Sequence, residues 1–368
     1  MKNLFLLSCV ACLVLVFVAG AFARDARLDS LVASGKVTEQ DIAAAETEGP
    51  NPWMAKQAYD IYIGGYIQPR WAYTDNADPD NAFSIRRARI TIWGNMNETW
   101  NFLFQHDFAL NGIVIAGVRA RVGDGQIGLG QFLTPLVLES YTSSGQLDTI
   151  ERARCVSMSG DWGDPGLFVW YPFLEGKIDV TAAITNGTGP NEPEENSDKA
   201  LWLRVNAMPF KGSEGPADGL LIGAAYNTGE TAEFDDMDVD LGDFERNVWV
   251  ATVQWVYTQW KVQAEYVDIE QDLAAGASGD IAGWYAYVTY NLPFEGMVVT
   301  PVVKYETLDP NAAAMDHSGC VEGDWITLGV RLSFVGTHDV KLEANYIIES
   351  LDVGEDADQF ILQSTINF

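Results

Sequence analysis

Counted back from the last residue, Phe368, Ile366, Ser364, Leu362 and Phe360 fall on one face of an extended chain, and Asn367, Thr365, Gln363, Ile361 and Gln359 on the other. Successive side chains of a strand point to opposite sides, so a period of two sorts residues between two environments. The alternation returns at Trp249, Ala251, Val253, Trp255 and Tyr257, and at Trp260, Val262, Ala264 and Tyr266. It returns again at Trp284–Leu292, Ile326–Phe334 and Val340–Ile348. Each segment runs about ten residues, the length at which a tilted strand crosses a hydrocarbon core.

A soluble β-sandwich also alternates, but it has no reason to place aromatics at strand ends. Here Trp and Tyr recur near segment ends, as in the girdles at the two water–lipid boundaries. Tight links (Tyr257–Gln259, Asn291–Gly296, Val335–Asp339) also take turns with long acidic ones at 228–245, 270–280, 308–323 and 350–358. This rhythm predicts an all-β chain closed into a transmembrane antiparallel barrel over residues 59–368. Candidate strands are 60–73, 83–95, 99–110, 113–122, 126–133, 155–160, 166–172, 177–186, 199–208, 218–228, 246–257, 259–269, 281–292, 298–307, 325–335, 339–349 and 358–368. A barrel with both ends on one side needs an even number. The short, poorly alternating 155–160 is therefore set aside, leaving sixteen strands and one long loop near 134–165.

The chain opens with Lys2, an apolar run from Leu4 to Val18, and Ala19-Gly20-Ala21-Phe22-Ala23. These are the parts of a secretory signal peptide, expected to be cleaved after Ala23. The run is short for a membrane anchor, and a lipoprotein reading at Cys9 leaves almost no apolar core before the cysteine. Residues 24–58 read as a short periplasmic segment of one or two helices, with Thr38 as an N-cap and Gly49-Pro50-Asn51-Pro52 ending the pattern.

A net charge of −30 without a basic stripe argues against a nucleic-acid partner. Cys155 and Cys320 remain after the leader, too few for a disulfide framework, and either pair or stay free. His106, His317 and His338 have no metal-ligand spacing, and His106 is expected to face lipid or a subunit contact. The aspartate run Asp236, Asp238, Asp240 and Asp243 suggests a calcium loop, but Leu241 stands where that loop needs glycine. No glycine-rich phosphate loop precedes a helix. Nothing here points to an enzyme, a cofactor or a resident metal.

If the apolar face of each strand meets lipid, the other lines the lumen. Inward basic residues are then Arg70, Arg87, Arg89, Arg119, Arg121, Lys177, Arg204, Lys261, Lys304, Arg331 and Lys341. Inward acids are Asp107, Asp179, Glu265, Glu306 and Glu343, so the acidity concentrates in the loops and the wall leans positive. Lys177/Asp179, Lys304/Glu306 and Lys341/Glu343 are spaced to neutralise one another. Guanidinium groups keep their charge and offer forked donors to oxyanions, so Arg70, Arg87, Arg89, Arg119, Arg121, Arg204 and Arg331 are candidate anion-binding residues. Two readings stand: the arginines form an anion path, or they pair with loop acids such as Glu139 and Glu151 and narrow the pore. The run from Leu133 to Glu139 is too apolar for a solvated loop, which predicts that it folds into the lumen as a constriction carrying Thr134, Pro135, Glu139, Glu151 and Arg152.

Taken in order, several pieces resemble the phosphate-selective porins O and P. They are Gly64-Gly65-Tyr66-Ile67-Gln68, Arg86-Arg87-Ala88-Arg89-Ile90, Gly130-Gln131-Phe132-Leu133-Thr134-Pro135 with Glu139, and Glu151-Arg152. Leu203-Arg204 with Met208-Pro209-Phe210, Lys304-Tyr305-Glu306-Thr307 and the terminal Phe368 complete the series. The resemblance spans roughly residues 60–368 and implies a sixteen-stranded barrel, a homotrimer and an arginine-lined path. It also implies that Phe368 is the signal read by the barrel-insertion machinery. The family's lysine clusters at the pore mouth have no counterpart among the eight lysines after the leader. Two functions follow: a passive outer-membrane channel for small hydrophilic solutes and ions, with anion preference, or a plugged structural or adhesive barrel with acidic surface loops. In both, membrane lipids and lipopolysaccharide are the expected surroundings.

Overall fold

The computed structural model describes residues 60–368 apart from 160–162, 195–196, 232–243, 273–277, 313, 315–319 and 335–339. The expected leader and helical lead-in lie outside the described residues, as do His317, His338 and the aspartate run.

Sixteen strands cross in sequence order, each antiparallel to its neighbours. They are β1 (Asp60–Thr74), β2 (Asn81–Asn95), β3 (Trp100–Asp107), β4 (Gly112–Val122), β5 (Gly125–Phe132), β6 (Asp164–Phe173), β7 (Ile178–Thr185) and β8 (Ala200–Ala207). There follow β9 (Leu220–Thr231), β10 (Phe244–Tyr257), β11 (Trp260–Asp272), β12 (Ser278–Tyr290, prolonged by Leu292–Phe294), β13 (Met297–Pro310), β14 (Gly323–Phe334), β15 (Val340–Leu351) and β16 (Gln359–Asn367). The break in β12 falls beside Pro293, which has no N–H for the ladder. Residues 155–160, left out to make the number even, hold a short helix, Arg154–Met158.

The barrel closes where β1 meets β16, with Tyr66 opposite Asn367 and Arg70 opposite Gln363. Gly65 N–H donates to the Phe368 carbonyl at 3.0 Å, and Phe368 N–H donates back to Gly65 at 3.1 Å. A closed barrel leaves no unpaired edge.

Its polarity is inverted relative to a soluble domain. Ile63, Leu129, Trp249, Val253, Val303 and Leu362 lie exposed on the outer face, while Glu265, Lys304, Glu306, Gln363 and Thr365 are buried inside. Apolar surface left in water forfeits about 25 cal/mol per Å², and a belt of it all round the wall is stable only against hydrocarbon. Where the long loops emerge, Tyr73 donates to Asp75 at 2.7 Å, Tyr266 to Asp268 at 2.9 Å and Tyr305 to Asp324 at 2.7 Å. These hydroxyls sit at a wet rim above an apolar band. At the opposite end Trp260 and Tyr290 pack ring to ring at 4.6 Å, a second aromatic boundary.

Candidate functional site

Between β5 and β6 the chain turns into the barrel and carries two short helices, α1 (Leu138–Tyr141) and α2 (Arg154–Met158). Within the apolar run that predicts this excursion, Leu136 and Val137 are almost fully enclosed, and Ile150, Ala153 and Val156 further along the loop are enclosed with them. Helix starts leave N–H groups without partners. Here Leu138 and Glu139 N–H donate to the two carboxylate oxygens of Glu265 on β11, at 2.8 and 2.9 Å. Glu265 also accepts from Thr252 and Tyr285, both at 2.6 Å, so one wall carboxylate fixes where α1 begins.

Further anchors follow round the wall. Asp148 takes Lys261 at 2.7 Å, Arg331 at 3.0 Å and the Tyr287 hydroxyl at 3.0 Å. Glu151 takes Arg70 at 2.5 Å and Arg86 at 2.9 Å, and its carbonyl accepts from Lys304 at 3.2 Å. Arg154 reaches Glu306 at 2.5 Å and lies 4.0 Å over the Trp325 ring. Gln68 donates to the Ser144 carbonyl, Lys341 to that of Gly145, and Asn345 accepts from Ile150 N–H. Arg152 turns back on its own loop, donating to the carbonyls of Glu139, Ser140 and Thr142, while the Glu139 carboxylate accepts from Ala153 N–H at 2.8 Å. Thr134 is buried and Pro135 follows it at the loop's entry.

The candidate arginines separate into two groups. Arg70 and Arg331 are held by loop acids, and Arg89 by Asp107 at 2.7 Å. Arg204, buried, donates to the Leu136 carbonyl at 2.6 Å and stands 3.8 Å from Glu265. The remaining three face no carboxylate within ion-pair reach among the described residues. Arg87 donates to Gln68 at 3.2 Å, Arg119 donates through Nε to Asn101 at 3.0 Å, and Arg121 is exposed. Of the close-spaced charges, Lys304 and Glu306 do pair, at 3.2 Å. His106 lies on the outer face with its ring 4.7 Å from that of Phe108. Cys155 and Cys320 are both buried, and Cys155 is a free thiol.

Sequence reasoning missed Arg86, Asp148 and Arg154. Arg86 enters the lumen because the β1–β2 register slips: Gln68 faces Arg87 but Pro69 faces Ile85, which leaves Arg86 as the extra residue of a bulge. Pro69 was the available signal, since a proline inside a strand marks a ladder that cannot run on unbroken. Asp148 and Arg154 sit on the loop, where no periodicity assigns a direction.

Burial alone would raise the carboxyls of Asp148 and Glu151, but Lys261 and Arg331 for one, and Arg86 with Arg87 and Arg70 for the other, hold both below the ordinary carboxylate range. Glu139 is pushed up, its burial outweighing Lys304, the Ala153 N–H and Arg152. A depressed carboxyl stabilises the docked loop above its ordinary value and loses that contribution as pH falls through the lowered one. Glu139 acts in the opposite sense, weakening docking as pH rises through its raised value. Docking should therefore weaken progressively on the acid side, as pH falls below the ordinary carboxylate range of about 4. The expected result is a reversible rise in single-channel conductance there; conductance that stays flat down to the pH at which the barrel itself unfolds would contradict loop docking by Asp148 and Glu151.

Comparison with known proteins comes to the same architecture. The family model described as phosphate-selective porin O and P matches residues 66–350. The trimer form of OmpT of Vibrio cholerae superposes with a TM-score of 0.61 at 13% identity, over 85% of this chain and 100% of that one. The anion-selective porin of Comamonas acidovorans gives 0.60 at 11%, over 84% and 100%. Salmonella typhi OmpF, in complex with daunomycin, gives 0.61 at 15%, over 84% and 97%. No curated protein is significantly similar to the chain in sequence.

Proposed function

Because the chain belongs to the phosphate-selective porin O and P family, an outer-membrane channel passing small solutes, we propose that it prefers anions. The observation that carries this is the charge left over in the lumen. On the β2–β4 side of the lumen the acids Asp107 and Glu151 are taken by cations, whereas Arg87, Arg119 and Arg121 have no carboxylate within ion-pair distance among the described residues; the wall acids Asp179 and Glu343 lie away from this sector, on β7 and β15. Net positive charge in a narrow, partly desolvated passage raises the local concentration of anions. The acidic outer loops oppose this only at a distance, where salt screens within about 10 Å.

The same reading assigns the remaining parts. Residues 1–23 act as the export leader, 24–58 stay on the periplasmic side, and Phe368 serves as the assembly signal. A homotrimer is supported by wall height: β3, β5, β7 and β8 have 8 residues each, against 15 in β1 and β2. Eight residues at about 3.3 Å, tilted by roughly 40°, span about 20 Å, less than the ~25 Å apolar band a barrel shows to lipid. Neighbouring copies would cover that low sector.

Reversal potential in a potassium chloride gradient across a planar bilayer tests the proposal. A potential displaced toward the chloride value is expected. Displacement toward potassium would overturn anion preference, and a membrane that stays silent would favour the plugged barrel.

A further inference from the structure

Arg119 differs from the paired arginines in where it sits. Below α1 the lumen wall opens into a recess of about 550 Å³ lined by Arg119, Phe132, Tyr141 and Trp170, with Asp124 and Asp179 at its lower edge. The Arg119 guanidinium lies 6.0 Å from the Phe132 ring centre and 5.9 Å from that of Trp170. Its Nε is used by Asn101, and its two terminal nitrogens carry no ion pair among the described residues.

The aromatic surface is built, not incidental. Phe132 meets Trp170 edge-on at 5.3 Å. Each ring occupies space that a glycine leaves open: a Cβ on Gly117 would come within 2.3 Å of Phe132, and one on Gly128 within 2.7 Å of Trp170. From the loop side, Trp170 Nε1 donates to the Tyr141 hydroxyl at 2.9 Å, which fixes the indole and ties the recess to the constriction.

We propose that this recess is a binding station for planar aromatic monocarboxylates on their way through the channel, with the carboxylate on Arg119 and the ring on Trp170 and Phe132. The proposal rests on the channel reading and names a solute class for it. Forked donors match a carboxylate, and a ring face and edge offer offset or T-shaped packing to a second ring. Asp124 and Asp179 disfavour a second negative charge at the far end, which selects against dianions such as the hydrogen phosphate form of inorganic phosphate. Aliphatic carboxylates meet the arginine but leave the rings uncovered.

The test uses the full mature protein in two independent readouts. In planar bilayers, benzoate is expected to reduce single-channel current at concentrations up to about tenfold lower than acetate, cyclohexanecarboxylate or phosphate, since all four share the ion pair and an aromatic ring contact alone is worth up to roughly that factor. In detergent, the fluorine resonance of 4-fluorobenzoate should broaden with the protein, and sharpen with Arg119→Gln or Trp170→Leu barrels that still run as folded species on unheated gels. Equal block by benzoate and acetate with normal openings would overturn the recess proposal while leaving the channel standing. A silent bilayer would sink the channel reading, and the fluorine signal alone would then decide the recess. Broadening unaffected by either substitution would place the ligand elsewhere.

Discussion

Asp148→Asn is expected to raise the conductance of the channel and shift it further toward anions. In the native loop the Asp148 carboxylate is shared by Lys261 and Arg331 and accepts from Tyr287, with only 7% of its side chain exposed. Removing one partner of a buried ion pair costs about 3–5 kcal/mol, because the other charges stay buried without compensation. Asparagine keeps the shape and one acceptor, so the barrel wall should assemble normally while the 145–151 stretch of the loop loosens. The lumen then gains one unit of positive charge. A unit charge about 8 Å from a permeating ion is worth about 0.5 kcal/mol even in bulk water, with opposite sign for chloride and potassium, so the chloride-to-potassium permeability ratio should rise roughly fivefold. Reversal potentials measure this directly, and a double-mutant cycle with Lys261→Gln isolates the pair. Unchanged conductance and selectivity would mean that Asp148 does not hold the constriction.

Gly65→Ala should prevent the barrel from closing. A Cβ at Gly65 would lie 2.1 Å from the Arg89 carbonyl oxygen and 2.9 Å from the Phe368 ring. The first neighbour is backbone and cannot rotate away, so β1 has to move off β2 or off the chain end. Either shift breaks the reciprocal Gly65–Phe368 hydrogen bonds that seal the seam. Overpacking in ordinary cores costs about 1–3 kcal/mol, and here it adds to unpaired backbone groups in a lipid-facing wall, each costing several kcal/mol. The folded, heat-modifiable band on unheated gels should fall at least about tenfold, in membranes and after refolding in detergent. Normal yield of the compact band would show that the seam tolerates the methyl group.

The period-two segments located the spanning strands of this chain and the lumen face of β8 and β10–β16, and parity of strand number set aside 155–160, where the structure has a helix. That success has a local cause: alternation is enforced residue by residue by the pleat, so it is written in adjacent positions. The apolar Leu133–Leu138 run likewise announced a loop that had to bury itself. Partnerships inside the lumen were less legible. The eleven basic positions of the wall looked alike in sequence, yet Arg70 and Arg331 serve as loop anchors while Arg119 lies against aromatic rings. Arg86 faced lipid by simple counting and faces Glu151 in fact, because one bulge at Pro69 moves it across the sheet.

What sequence alone determined is therefore the wall: which side of each strand meets hydrocarbon follows from side-chain polarity taken two residues at a time. What only the tertiary structure decided is which charges stay free. Ion pairs such as Asp148–Lys261 join residues more than a hundred positions apart. Their formation depends on where a folded-in loop comes to rest against all the other strands at once, and no short-range pattern encodes that.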